Sequence, residues 1–242
     1  MNSGDERRKA LRAKDLWDHF VRPAPCRFDR YLKHAEGDQV RALAFYAWNI
    51  SLCTHLLPVF TDVEVLLRNG IHNAMKRHYR TARWWDDSRV RMRRNQVLQL
   101  DSAVEDLRLL GIDEPTADDL VGALSFGFWT SLLGHKYEST VYSHFAQDGM
   151  PHIPADRKDR TSVESTFESI RLLRNKAFHN KAIYADKGEL ARMYELSLEA
   201  IGWLSPRHLK FVRGTCLFQQ VLNQDIDLYV KQVSAVFRDD LA

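Results

Sequence analysis

Within the segment Arg171-Leu172-Leu173-Arg174-Asn175-Lys176-Ala177-Phe178-His179-Asn180, a guanidinium, an amide and an imidazole follow one another at Arg174, Asn175 and His179. Those residue types can cut RNA without a metal. RNA supplies its own nucleophile, the ribose 2′-hydroxyl. A protein then has to remove a proton, steady the charge on the phosphorane and help the leaving oxygen depart. An imidazole titrates near neutral pH, which suits His179 to act as general base or general acid. A guanidinium offers paired N–H donors, so Arg174 could clamp the scissile phosphate and stabilise the charge that grows in the transition state. Asn175 could orient the imidazole or bind the phosphate. The expected product is a 2′,3′-cyclic phosphate, and DNA should resist.

The element that must position these groups is legible in the spacing. At about 100° per residue, Val163, Phe167, Ile170, Leu173 and Ala177 fall on one stripe, which predicts a helix with one face on the core. Asn175 and His179 lie one turn apart on the opposite face. Arg174 lies only about 40° from Ile170 and about 140° from His179, so it borders the apolar stripe. Burying a guanidinium there without a partner would cost several kcal/mol, which predicts a carboxylate, a phosphate or a solvent cleft against Arg174. One straight helix does not easily aim Arg174 and His179 at one atom. Two such helices packed across a two-fold axis could bring the arginine of one copy towards the histidine of the other.

The rest of the chain reads as helical. Prolines stand at 23, 25, 58, 115, 151, 154 and 206, leaving long proline-free stretches with three-and-four apolar spacing. Residues 1–28 read as a charged, poorly ordered lead-in, and 29–242 as a single all-α domain. A first helical block covers Tyr31 to Leu57, with a break near Gly37 and Asp38, and Pro58 is expected to interrupt it. Thr61-Asp62-Val63-Glu64 has the form of a capping box that starts the next helix, to about Tyr79. A helix over Arg89 to Leu110 should close at Gly111, and another should open at Pro115-Thr116 and run through Leu133. Gly149 to Arg160 reads as a loop. Thr161-Ser162-Val163-Glu164 is a second capping box, placed to start the motif helix. Further helical patterns occupy about Gly188 to Trp203 and Cys216 to Phe237. No segment shows the alternation of a sheet.

Composition narrows the function classes. The 242 residues are 45% hydrophobic and 28% charged, with a formal charge of +3 and a pI near 8.7, a mild excess compatible with a polyanionic partner. Cys26, Cys53 and Cys216 are far apart and outside paired-ligand spacing, and read as reduced thiols. Met1 to Lys14 is polar throughout, which predicts no secretory signal, and the apolar runs read as broken by charge short of the roughly 20 residues of a membrane span. A cytoplasmic protein without membrane attachment is therefore expected. No His-Glu-x-x-His, Cys-x-x-Cys, phosphate-cradling glycine loop or nucleophile elbow occurs, so no metal and no cofactor are expected.

Other segments admit two readings. Glu64, Arg68 and His72 form a column at four-residue spacing, either a cap with an intrahelical ion pair or a buttress to an active cleft. Trp84 and Trp85 could stack RNA bases, or fill a buried turn or a dimer contact. Arg89, Arg91, Arg93 and Arg94 could track phosphates or form a solvated face. Ser125 to Trp129 reads as a packed helix in which Gly127 permits close approach.

The arginine, asparagine and histidine of the motif helix resemble the signature of HEPN-domain ribonucleases. Taken in order, Tyr31-Leu32, then Ala42-Leu43-Ala44-Phe45-Tyr46-Ala47-Trp48-Asn49, Glu64-Val65-Leu66-Leu67-Arg68-Asn69, Leu124-Ser125-Phe126-Gly127-Phe128-Trp129 and Leu173-Arg174-Asn175 through His179 resemble the Abi-like family of bacterial proteins, over roughly residues 28–185. Members carry a HEPN helical domain and are associated with abortive infection and toxin activity. Where that family commonly has a small residue before the histidine, and a second histidine and a glutamate after it, this chain has Phe178, Asn180 and Lys181. The resemblance implies a HEPN-like helical bundle with additional flanking helices. It also implies a homodimeric, metal-independent endoribonuclease, active in antiphage defence or as a toxin, with an antitoxin or regulatory protein as a further candidate partner. Arg174, His179 and Asn175 would carry catalysis, and Glu64, Arg68, Asn69, Arg171, Lys176 and Asn180 would support them or bind RNA. The competing expectation is a non-catalytic helical module that binds RNA or a partner protein.

Overall fold

A computed structural model describes Trp17, Asp18, Val21 and residues 25–239. Most of the lead-in expected over 1–28 lies outside the described residues. Of the part described, Trp17 is buried with its ring edge on Phe28.

The described residues form no strands and are all helical apart from turns and short loops. The α-helices are α1 (Pro25–His34), α2 (Gln39–Tyr79), α3 (Arg94–Leu109), α4 (Ala117–Ala123), α5 (Phe126–Ser131), α6 (Ser143–Asp148), α7 (Arg160–Phe178), α8 (Lys187–Leu204), α9 (Pro206–Thr215), α10 (Phe218–Leu222) and α11 (Ile226–Asp239). The described residues group into two compact units, those within 1–57, 175–192 and 216–242 in the first and 58–174 and 193–215 in the second.

Several helix boundaries differ from the sequence expectation. Pro58 does not interrupt the second helix: α2 runs 41 residues through it, so Thr61 is interior and caps nothing. A proline inside a helix costs about 3 kcal/mol. Leu52, Leu56, Val59, Phe60, Val63, Leu67 and Ile71 are all fully or nearly fully buried along α2. At about 2 kcal/mol each, that burial outweighs one missing bond. The motif helix is capped by Asp159, whose carboxylate accepts the Ser162 N–H at 2.9 Å, and not by Thr161; Glu164 pairs with Arg160 instead. The helix expected from Thr116 to Leu133 starts with a reciprocal Thr116–Asp119 capping box but breaks at the extended Leu124, and Ser125 caps α5. The last pattern divides at Asn223 to Asp225, and α9, begun by Pro206 after Ser205, was not anticipated. Charge also interrupts the apolar runs less than expected. Ala42 to Thr61 contains no Asp, Glu, Lys or Arg, and α2 is long and apolar enough to cross a membrane by length and composition, with 39% of that window buried.

Other expectations match. Val163, Phe167, Ile170, Leu173 and Ala177 are buried along α7. Gly111, at φ +87°, closes α3 with Ile112 N–H donating to the Leu107 carbonyl. The first unit centres on Tyr184, stacked between Tyr31 and Phe45 at 5.3 Å from each, while the Trp48 indole donates to the Val221 carbonyl at 3.0 Å. The second packs Phe60, Trp84, Phe128, Trp129, Phe145 and Phe167. There Gly149 is required: a Cβ would sit 2.2 Å from Phe145 and 3.0 Å from the Gly70 carbonyl. Gly127 is under no such demand, since its added Cβ would meet only ordinary contacts.

Candidate functional site

Helix α7 ends at Phe178, and the ending shapes the motif. Asn180 adopts φ +48°, the left-handed conformation. Its N–H donates to the Ala177 carbonyl at 2.9 Å, and the Lys181 N–H donates back to the Lys176 carbonyl at 2.9 Å. These two bonds make a Schellman cap with Asn180 at the position where glycine, or failing that asparagine, fits best. His179 is therefore the cap residue and not an interior helical one, although its N–H still reaches the Asn175 carbonyl at 3.1 Å. Its side chain is exposed, as is that of Phe178.

The turn beyond the cap is fastened from α2. Asn49 is fully buried; its Nδ2 donates to the Lys181 carbonyl at 3.2 Å and its Oδ1 accepts the Ile183 N–H at 2.8 Å. One side-chain amide thus satisfies both a donor and an acceptor of a loop that would otherwise hide them unpaired. Beside the cap lies a cleft of about 210 Å³, lined by Cys26, Arg27, Arg30, Tyr31 and residues 179–182.

Arg174, in the second unit, faces the carboxylate that its half-apolar setting calls for: Nη2 lies 3.4 Å from Glu64 Oε2. The column read along α2 accordingly resolves into three separate engagements. Glu64 pairs with Arg174 and not with Arg68. Arg68 Nη1 donates to the Gly122 carbonyl at 3.5 Å. His72 is buried and accepts the Trp84 indole N–H on Nδ1 at 3.2 Å. Asn69 is exposed, as is Lys176. Arg171 is held by Glu168 through two bonds, Nε to Oε2 at 2.7 Å and Nη2 to Oε1 at 2.5 Å.

The tryptophan pair is a buried turn, with Trp84 and Trp85 almost wholly enclosed, so neither face is open to a base. Arg89 binds Asp87 with two bonds, while Arg91, Arg93 and Arg94 are exposed. Among the described residues, no three His, Cys, Asp or Glu side chains gather as metal ligands would.

Sequence reasoning brought forward His179 and Asn180 but missed Arg27, Arg30 and Asn49 as their neighbours. A signal existed for the two arginines: three residues apart just after Pro25, they share one helix face. Asn49 stood inside an apolar run where a polar side chain needs a partner, yet nothing in the spacing named it. No family model, no curated protein and no solved structure matches this chain.

Proposed function

We propose that the chain is a metal-independent endoribonuclease of HEPN-like architecture, acting as a homodimer in bacterial antiphage defence or as a toxin. The observation that carries this reading is the placement of His179: an exposed imidazole at a capped helix end, on an open cleft whose other walls include two arginines. A general acid or base has to reach a substrate proton from a fixed position, and the Schellman cap with the Asn49 clamp supplies that fixity. His179 exchanges the proton with the 2′-hydroxyl or the leaving 5′-oxygen. Arg174 stabilises phosphorane charge once RNA phosphate competes with Glu64 for its guanidinium, and Asn175 orients the imidazole or the phosphate. No cofactor takes part in this scheme.

A second reading draws on the Glu64 pair. A guanidinium already matched to a carboxylate can serve packing alone, which suits a non-catalytic module that binds RNA or a partner protein. The two are separated by incubating the wild-type chain and His179→Ala with end-labelled RNA in chelator and mapping the product ends. Cleavage by the wild type alone, with cyclic phosphate ends, is expected. Retained cleavage by His179→Ala rejects the assignment, and no cleavage by either favours the binding module.

A further inference from the structure

We infer that the cleft beside His179 is a subsite for the phosphodiester backbone of single-stranded RNA, gripped by Arg27 and Arg30 of α1 together with Lys181. The inference rests on the ribonuclease reading only for the choice of RNA as the polyanion.

Charge is the first argument. Arg27, Arg30 and Lys181 all line the cleft, all are exposed, and none pairs with a carboxylate among the described residues. Arg83, Arg89, Arg171 and Arg192, by contrast, each hold a carboxylate oxygen within 2.8 Å. Asp29 is the one acidic residue of α1, and it is not part of the cleft wall. Three cations around one concavity repel each other and attract an anion, and guanidinium forks match phosphate oxygens in pairs.

A second, independent observation is the hydroxyl of Tyr31. The residue lines the cleft with 1% of its surface exposed, yet its Oη has no hydrogen-bond partner. A buried hydroxyl left unpaired costs about 1–3 kcal/mol; it is closed to solvent as it stands, so a phosphate or ribose oxygen in the cleft relieves that cost only with a shift of the Tyr31 side chain. Burial first and Tyr184 next raise its ionisation above the ordinary tyrosine value, with the Arg27 guanidinium opposing them, so at neutral pH it remains a donor.

Rigidity is the third argument. Arg27 stacks on the Tyr46 ring at 5.5 Å, and the backbone of Lys181 is held through its carbonyl by Asn49, so one guanidinium and the base of the lysine side chain are placed before any ligand arrives. Prior placement lowers the ordering cost of binding.

The test is fluorescence anisotropy with a labelled RNA oligonucleotide made fully 2′-O-methyl, so that it binds but has no nucleophile, titrated across salt concentrations. Each lost phosphate contact on a single strand removes about 0.7 from the slope of log K against log salt. The double variant Arg27→Gln/Arg30→Gln should lose about 1.4 of slope and bind roughly tenfold more weakly at about 0.1 M salt. Arg30→Lys, which keeps the charge, should hold the wild-type slope and guards against misfolding as the cause. Arg91→Gln/Arg94→Gln, in the basic run of the other unit, should match the wild type. Failure of the wild type to bind, an unchanged slope in the Arg27/Arg30 variant, or loss in the Arg91/Arg94 variant instead overturns the inference. If the slope falls as expected but natural RNA is never cleaved, the subsite stands and the ribonuclease reading fails.

Discussion

Glu64 Oε2 lies 3.4 Å from Arg174 Nη2, and their side chains retain only 20% and 28% exposure. The pair joins α2 to the motif helix across 110 positions of sequence. Exposed ion pairs contribute about 0–1 kcal/mol, whereas breaking a buried one costs about 3–5 kcal/mol. With a quarter of each side chain still wet, this pair sits near the low end, and a coupling of about 1 kcal/mol is expected. A double-mutant cycle of Glu64→Ala, Arg174→Ala and the combination, read by urea unfolding, measures that coupling free of the other interactions Arg174 makes. Strict additivity would show that the contact contributes no coupling to stability.

Asn49 holds the post-helix turn by two hydrogen bonds to the main chain at Lys181 and Ile183, all inside one unit. Asn49→Ala leaves both main-chain groups without their amide partner and should lower stability by about 2–3 kcal/mol. Asn49→Asp keeps an acceptor for the Ile183 N–H but sets a carboxylate against the Lys181 carbonyl, so it should be at least as harmful. Urea midpoints give the comparison. A loss under about 0.5 kcal/mol for Asn49→Ala would mean that the turn is held by its cap alone.

How far the sequence spoke for itself depends on whether a feature is local. The buried stripe of α7 was readable because one-sided burial imposes its period on the residues, and the Schellman end of α3 was readable because Gly111 can take a positive φ cheaply. The capping boxes show the limit. Thr-x-x-Glu occurs at both Thr61 and Thr161, yet neither threonine caps a helix, because in each case helical residues already precede it. Pro58 misled for a related reason: its local penalty is real, but the packing along α2 that offsets it is set by the rest of the fold. Tertiary partnerships were not in the sequence at all. The need for a countercharge at Arg174 followed from its place beside the apolar stripe, but that Glu64 supplies it, or that Arg27 and Arg30 share a cleft with His179, depends on which helices meet.

Asn180 stands at φ +48°, so its identity matters for the backbone before it matters for RNA. An ordinary L-residue in that conformation costs roughly 1–2 kcal/mol, glycine essentially nothing and asparagine little. Asn180→Gly should therefore leave stability within about 0.5 kcal/mol of the wild type, while Asn180→Val should lose about 1–2 kcal/mol. If catalysis needs the geometry of the cap and not the amide, Asn180→Gly should also keep the wild-type cleavage rate. Equal stability of the glycine and valine variants would mean that the left-handed turn is not formed in solution.

His72 gives the pH dependence a sign. Its Nδ1 accepts the Trp84 indole proton, so the neutral ring carries its own proton on Nε2, which lies 3.8 Å from Asp118. Burial lowers its pKa below the ordinary 6.5, with Asp118 opposing and Lys76 assisting the shift. A base that resists protonation in the folded state binds fewer protons than it does unfolded. Its contribution is thus complete above the unfolded value of 6.5 and declines as pH falls through it, until the folded ring protonates as well. Stability should be greater at about pH 7.5 than at about pH 5.5. In His72→Gln, which keeps an acceptor for the indole and does not titrate, that difference should shrink. It should not vanish, because burial and the stacked His78 lower His144 in the same direction. Urea unfolding of both proteins at the two pH values decides the matter: an unchanged difference in the variant, or higher stability at the lower pH, removes His72 from the account.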